Sequence, residues 1–261
     1  MSAVTQIAWT DHTFNPWMGC VNVSEGCRNC YAETLTRNRM GLKLWGKDGR
    51  RQVTKTWRDP VKWSRNAAAA GVRERVFCAS LCDVFEHHPT ANEARPALWR
   101  LIDSCRSLDW QILTKRPENI VSMLPADWGG GWPHVWLGTS IEDMRVAKRA
   151  DHLRGVPAAV RFVSYEPALG SVADLDLSGI GWLICGGESG PGHRAMDHRW
   201  AREIRDKCAA AGVAFFFKQS SGARPGTGTL LDGVEIKNWP TTACRTAPEA
   251  PSAPASAGLF G

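Results

Sequence analysis

Six short apolar runs recur along the chain, and each passes directly into a polar or Gly/Pro-rich cluster. Val76-Phe77-Cys78-Ala79 leads into Ser80-Leu81-Cys82-Asp83, and Trp110-Gln111-Ile112-Leu113 into Thr114-Lys115-Arg116-Pro117. Val135-Trp136-Leu137 leads into Gly138-Thr139-Ser140, and residues 160–163 into Ser164-Tyr165-Glu166-Pro167. Trp182-Leu183-Ile184-Cys185 leads into Gly186-Gly187-Glu188-Ser189, and Ala214-Phe215-Phe216-Phe217 into Lys218-Gln219. Near-continuous apolar runs of this length predict strands buried on both faces, as in a parallel sheet. Helical periodicity falls between them. Ala97, Leu98, Leu101, Ile102, Cys105 and Leu108 keep one apolar stripe. Trp200, Ile204, Cys208 and Ala211 recur at helical spacing, with Gly212 as a natural stop.

This alternation predicts an α/β fold of βα repeats, either a doubly wound open sheet or a full or partial (βα) barrel. In both, polar groups just after each strand line the ligand site. Those positions hold Asp83, Lys115, Arg116, Ser140, Glu142, Glu166, Glu188 and Lys218. So many charges at strand ends exceed what packing requires, although ion pairing among them is the plainer reading.

Composition narrows the class. The 261 residues are 43% hydrophobic and 22% charged, which predicts a soluble globular protein. A chain of this length buries a large core without disulfide staples. It has no stretch of eighteen apolar residues, so no membrane span is expected. The N-terminus lacks a basic start followed by an apolar run, so no ordinary secretory signal is expected. The prediction is a cytoplasmic protein whose nine cysteines stay reduced. One domain is expected over residues 1–240. From about Thr241 onward Ala, Pro and Ser dominate, predicting a disordered tail over 241–261.

Charge is uneven. Residues 37–65 hold ten Lys/Arg against Asp48 and Asp59, a local +8 in a chain whose total is +6. Trp45, Trp57 and Trp63 sit among these charges. Cations interleaved with aromatics suit a polyanion with stackable bases. Lys47, Arg50, Arg51, Lys55 and Arg58 are the candidate nucleic-acid contacts. A solvated surface anchored by its Trp side chains accounts for the same pattern.

The strongest local signal is a run of three cysteines within eleven residues, Cys20, Cys27 and Cys30, with Gly19 and Gly26 before the first two. Close spacing lets three thiolates converge on one metal centre, and glycine permits the tight path. Cys78 and Cys185 lie in apolar runs, and Cys105 and Cys208 on helical stripes; all four read as core residues. Cys244 falls in the tail, and Cys82 stands beside Asp83 at a strand end. Structural zinc wants four closed ligands, commonly two CxxC pairs, and only one pair is present; His12 is a candidate fourth ligand. An iron–sulfur cube on three cysteines leaves one iron open. Uncoordinated thiols are the third possibility.

Several ordered motifs resemble a known family. Phe14-Asn15-Pro16-Trp17-Met18-Gly19-Cys20, then Ser24, Gly26-Cys27 and Cys30-Tyr31-Ala32, look like the signature of the phage Gp37/Gp68-type proteins of unknown function. Leu113-Thr114-Lys115-Arg116-Pro117-Glu118, Leu137-Gly138-Thr139-Ser140-Ile141-Glu142, Glu166-Pro167, Gly186-Gly187-Glu188-Ser189-Gly190 and Phe216-Phe217-Lys218-Gln219 match as well. The resemblance spans roughly residues 7 to 240. That family in turn resembles the radical S-adenosylmethionine (SAM) superfamily, nearest the spore photoproduct lyases.

The resemblance implies a partial (βα)6 TIM-type barrel with the cluster loop after its first strand. It implies a [4Fe-4S] cluster on Cys20, Cys27 and Cys30, with SAM on the open iron as source of a 5'-deoxyadenosyl radical. Six residues separate the first two cysteines, where the usual spacing has three. By position, Asp83 would meet the SAM ammonium, Thr114-Lys115 would approach SAM, and Ser140 would lie near its carboxylate. Glu166 is a further cofactor-site candidate, and Cys82 stands where a Ser is expected, either as an inert replacement or as the candidate hydrogen-atom donor. Gly186-Gly187-Glu188 resembles a SAM motif in letters only. His87 and His88 are assigned no role. The implied substrate is nucleic acid, DNA above all, in phage base hypermodification or repair. The implied electron donor is a flavodoxin or ferredoxin. A non-catalytic zinc or iron–sulfur protein that binds nucleic acid is the alternative, and a radical enzyme with a small-molecule or peptide substrate is a third.

Overall fold

The computed structural model describes residues 5–241. The expected tail beyond Thr241, with Cys244, lies outside the described residues. In chain order the strands are β1 (His12–Phe14), β2 (Trp17–Met18), β3 (Gln52–Val53), β4 (Glu74–Cys78), β5 (Leu108–Thr114), β6 (Val135–Ser140), β7 (Val160–Tyr165), β8 (Trp182–Gly186) and β9 (Ala214–Gln219). The helices are α1 (Tyr31–Thr34), α2 (Asp59–Ala69), α3 (Pro89–Ser104), α4 (Ile120–Met123), α5 (Lys148–Arg154) and α6 (His198–Ala211).

Seven strands form one sheet in the order β1-β4-β5-β6-β7-β8-β9, and every neighbouring pair is parallel. Strand order follows chain order with no reversal, so the sheet has no switch point and the doubly wound alternative falls away. Curvature shows in the aromatic contacts. Trp9, which leads into β1, lies 6.0 Å from Trp182 of β8 between ring centroids. A flat sheet would hold those strands roughly 24 Å apart, five steps of about 4.8 Å. The sheet therefore curls into a partial barrel. Its open seam is bridged by the segment after β9. Phe217 N–H donates to Ile236 O at 2.8 Å, and Trp239 Nε1 donates to Trp9 O at 3.4 Å.

Alternation along each strand divides the core in two. Trp9, Phe77, Trp136, Phe162, Trp182 and Phe216 fill the interior. Val76, Trp110, Ile112, Leu137, Leu183 and Phe217 face outward beneath Leu98 and Ile102 of α3 and Ile204 and Cys208 of α6. All six apolar runs are strands. The seventh, β1, has only three residues and alternates, so it carries no apolar run. The stripe expected from Ala97 to Leu108 is shared between elements: α3 stops at Ser104, and Leu108 opens β5. Gly212 ends α6 in the left-handed conformation, φ 67°.

The interior aromatics occupy the lower, N-terminal part of the barrel. Above them the inward positions carry small or polar residues: Gly138, Ser140, Ser164, Gly186 and Lys218. The C-terminal mouth lies above these positions, where ligand sites of such folds lie. Among the described residues no helix is long and apolar enough to cross a membrane.

Beneath the barrel, His134 is buried, stacked on Trp132 at 5.8 Å, with Nε2 donating to Ile102 O at 3.1 Å. Burial pulls its pKa down to about 4, against the opposing Ile102 carbonyl. The unfolded imidazole takes its proton near pH 6.5, so folding stability is lost as pH falls from about 6.5 toward 4. The expected loss attributable to His134 is about 2 kcal/mol between pH 6.5 and pH 5. Urea unfolding at the two pH values checks this: His134→Gln should flatten the difference by that amount.

Candidate functional site

The cysteine loop leaves β2 at the barrel mouth. Asn15 fixes its entry: Oδ1 accepts the Leu81 N–H at 2.7 Å, and Nδ2 donates to Ser80 Oγ at 3.1 Å. Gly19 N–H donates to Leu81 O at 3.0 Å. Gly19 has φ +107°, and a β-carbon there would lie 2.4 Å from Leu44 O. Glycine is required on both counts. Gly26 meets a different constraint, since its β-carbon would lie 2.3 Å from Glu142 Oε1. Ser24 Oγ donates to that same oxygen at 2.9 Å. The far side of the loop is tied across the mouth: Asn29 Nδ2 donates to Glu188 Oε2 at 2.9 Å and to Gly192 O at 3.1 Å. Arg194 Nη1 donates to Glu25 O at 3.1 Å.

Cys20, Cys27 and Cys30 are all free thiols on this loop; Cys27 is buried and the other two half-buried. Burial pushes Cys20 up to about 12, and the Asp83 carboxylate adds to the rise. Burial also raises Cys30, more than the Glu33 and Ala32 amides at its sulfur lower it. The donor set suits a thiolate-bound centre in kind. Among the described residues, however, no three His, Cys, Asp or Glu side chains are gathered to hold a metal ion. His12 is engaged elsewhere, with Nε2 2.8 Å from Glu74 Oε2 and its ring stacked on Trp63 at 4.3 Å. It therefore does not supply a fourth ligand.

Beside Cys20 the strand ends build a buried charge frame. Arg116 Nη1 lies 3.5 Å from Cys20 Sγ and 2.8 Å from Asp83 Oδ2, while Nη2 donates to Val21 O at 2.7 Å. Burial works against the Arg116 charge, but Asp83 and Cys20 outweigh it and raise the pKa above its ordinary value. Asp83 Oδ1 accepts from Phe85 N–H at 2.9 Å and Thr114 Oγ1 at 2.7 Å, and Oδ2 also accepts Lys115 N–H at 3.1 Å. Four protein donors occupy its lone pairs. The ammonium contact expected of Asp83 would have to displace one of them; in this geometry it aims Arg116.

Lys115 Nζ lies 3.2 Å from Glu142 Oε1, and Arg149 Nη1 holds Glu142 Oε2 at 2.9 Å. Ser140 and Ser164 are register partners on β6 and β7. Glu166 pairs with Lys218 across the upper barrel. Glu188 accepts from Arg194 Nε at 3.0 Å and Nη2 at 2.5 Å. Burial opposes its ionisation, but Arg194 and Asn29 hold its pKa below the usual carboxylate range. Cys82 lies behind the loop, bridged to Gly19, and burial keeps its thiol well above the ordinary pKa. The mouth thus brings together Cys20, Cys82, Asp83, Lys115 and Ser140 with Glu166 nearby.

The basic candidates divide. Lys47, Arg50, Lys55 and Arg58 are exposed. Arg51 is not: its side chain is 0% exposed and turned inward onto Glu86, through Nε at 2.8 Å and Nη2 at 2.6 Å. It also donates to Leu44 O at 2.9 Å. Arg51 is thus corrected from a nucleic-acid contact to a buried strut, because a carboxylate and loop carbonyls consume its donors. Sequence reading also missed Glu86, Asn29 and Arg194, whose partners lie 35 to 169 residues away. His88, assigned no role, caps α3 by accepting the Thr90 N–H at 3.2 Å.

No curated protein matches the chain. Among solved structures a spore photoproduct lyase variant aligns at 14% identity with a TM-score of 0.46, covering 76% of this chain and 61% of its own. The chain therefore spans less than two thirds of that protein's length. A family model described as a protein of unknown function, DUF5131, matches residues 4–240, and the chain belongs to that family.

Proposed function

We propose that the Cys20–Cys30 loop holds a [4Fe-4S] cluster and that the barrel mouth binds SAM, making the protein a radical SAM enzyme that acts on a nucleic-acid base. The observation that carries this reading is the placement of three free cysteines on one loop at the C-terminal mouth of a curled parallel sheet. Cys20, Cys27 and Cys30 would be the ligands. When bound, the cluster and SAM supply a 5'-deoxyadenosyl radical that removes a hydrogen atom from substrate. Arg116, aimed by Asp83, offsets the negative charge of the Cys20 thiolate. Lys115, which pairs with Glu142 at 3.2 Å, would meet the SAM carboxylate, with Ser140 and Glu166 as further polar contacts. Cys82, bridged to Gly19 behind the loop, would be the hydrogen-atom donor. DNA is the substrate class, with Lys47, Arg50, Lys55 and Arg58 on its phosphates, and a flavodoxin or ferredoxin is the electron donor.

Anaerobic reconstitution with ferrous iron and sulfide tests the reading. The expected product is brown and holds about four irons and four sulfides per chain. Cys20→Ala, Cys27→Ala and Cys30→Ala should each abolish the colour, while Cys105→Ala should keep it. SAM with a reductant should then release 5'-deoxyadenosine. A colourless protein with one zinc per chain would replace this reading with a non-catalytic zinc protein.

A further inference from the structure

Among the described residues, Cys20 is the one candidate ligand whose sulfur meets a charged hydrogen-bond donor: Arg116 Nη1 lies 3.5 Å from its Sγ. Cys30 faces the backbone amides of Ala32 and Glu33 instead. The same guanidinium holds the chain beside the Cys20 sulfur, because Nη2 donates to Val21 O at 2.7 Å. One planar fork thus grips the side chain of residue 20 and the backbone of residue 21. A lysine ammonium carries the charge without that fixed fork.

The aim of Arg116 is fixed from behind. Nη1 also meets Asp83 Oδ2 at 2.8 Å. The Arg116 N–H donates to Thr114 Oγ1 at 2.9 Å, and that hydroxyl donates to Asp83 Oδ1 at 2.7 Å. Carboxylate, hydroxyl and guanidinium close a ring at the end of β5, and all three residues are buried. Glu86 stands farther off, at 3.8 Å, and is engaged by Arg51. The order outward from the sulfur is therefore cation, then anion. In buried surroundings charges a few ångströms apart act strongly on one another. Reduction adds one negative charge to a cluster. A cation hydrogen-bonded to a ligand sulfur favours the reduced state, and an anion nearby disfavours it.

We infer that Arg116 is a positioning residue that sets the reduction potential of a cluster held through Cys20: its guanidinium raises the potential, and Asp83 both orients it and tempers the rise. The inference rests on the cluster reading above and deepens it. It also gives Asp83 a role that needs no contact with SAM.

Anaerobic redox titration of the reconstituted full chain, followed by the paramagnetic resonance of the reduced cluster, tests it. Arg116→Gln should lower the midpoint and shift the reduced-to-oxidised ratio at a fixed poise about tenfold, or about 59 mV for one electron. Asp83→Asn, nearly the same shape, should move the midpoint the opposite way. Arg116→Lys keeps the charge and should fall between the parent and Arg116→Gln. Loss of a merely structural contact would lower iron content or melting temperature without giving the two neutralising variants opposite signs. Arg116→Gln leaves Asp83 its bonds from Phe85 N–H, Thr114 Oγ1 and Lys115 N–H. If that variant nevertheless fails to fold, the sign of the shift in Asp83→Asn decides alone. A parent with its cluster and an Asp83→Asn midpoint that is unmoved or lowered would overturn the role of Arg116 and leave the cluster reading standing. A parent that takes up no cluster would overturn both.

Discussion

Glu86→Ala is expected to destabilise the protein by about 3–5 kcal/mol, the usual consequence of removing one partner from a buried ion pair. For a chain of this size that lowers Tm by roughly 10 °C. The magnitude follows from what Glu86 leaves behind. Arg51 is wholly buried and spends two nitrogens on this carboxylate, and Arg116 approaches it at 3.8 Å. Without Glu86, a cation with no route to water faces only carbonyls. Arg51→Met combined with Glu86→Leu should recover most of the loss, because the charge and its partner then leave together. The damage should also be local. Arg51 gathers Leu44 O and Gly49 O, and Gly46 N–H donates to Cys20 O at 3.0 Å. Hydrogen exchange in Glu86→Ala should therefore rise first over residues 44–51 and at the cysteine loop. Chemical denaturation checks the magnitude; a loss under about 1 kcal/mol would mean that water already reaches the pair.

The case of Arg51 marks the boundary of what the sequence discloses. Strand runs were legible because burial on both faces leaves a local apolar signature, and all six became strands. β1 was hidden because three alternating residues carry almost no periodic signal. The cysteine loop was legible through close spacing alone. Its supports were not. Glu142 reaches Ser24 across 118 positions, and Glu188 reaches Asn29 across 159. Such pairs come together only once seven strands fix the register. A run of ten cations likewise reads as one surface until the fold turns a member inward. The polar residues after each strand share one end of the parallel sheet, and several engage each other: Asp83 with Arg116, Glu166 with Lys218, Glu188 with Arg194. Ion pairing, the plainer reading of those charges, is what the structure shows.

The second large effect is expected at the opposite end of the barrel. Trp182→Ala should cost about 3–5 kcal/mol, the range for truncating a buried Trp. Trp182 is 0% exposed and meets Trp136 at 5.9 Å, Phe162 at 5.5 Å and Phe216 at 6.3 Å, besides Trp9. Those partners come from four different places around the curl, so one side chain braces the whole lower interior. Its Nε1 also donates to Asn238 O at 2.9 Å, fastening the segment that closes the open seam. Truncation therefore leaves a cavity and frees that segment together. Trp182→Phe keeps most of the packing and loses only the hydrogen bond, so it should cost markedly less. The site lies at the other end, above Ile184 and Gly186, and shares no hydrogen bond with Trp182. Iron taken up per folded molecule on anaerobic reconstitution should accordingly match the parent in both variants. A Trp182→Ala protein that kept parental stability would mean that the interior aromatics do not hold the curl. One that folded but took up no iron would mean that the lower core positions the cysteine loop.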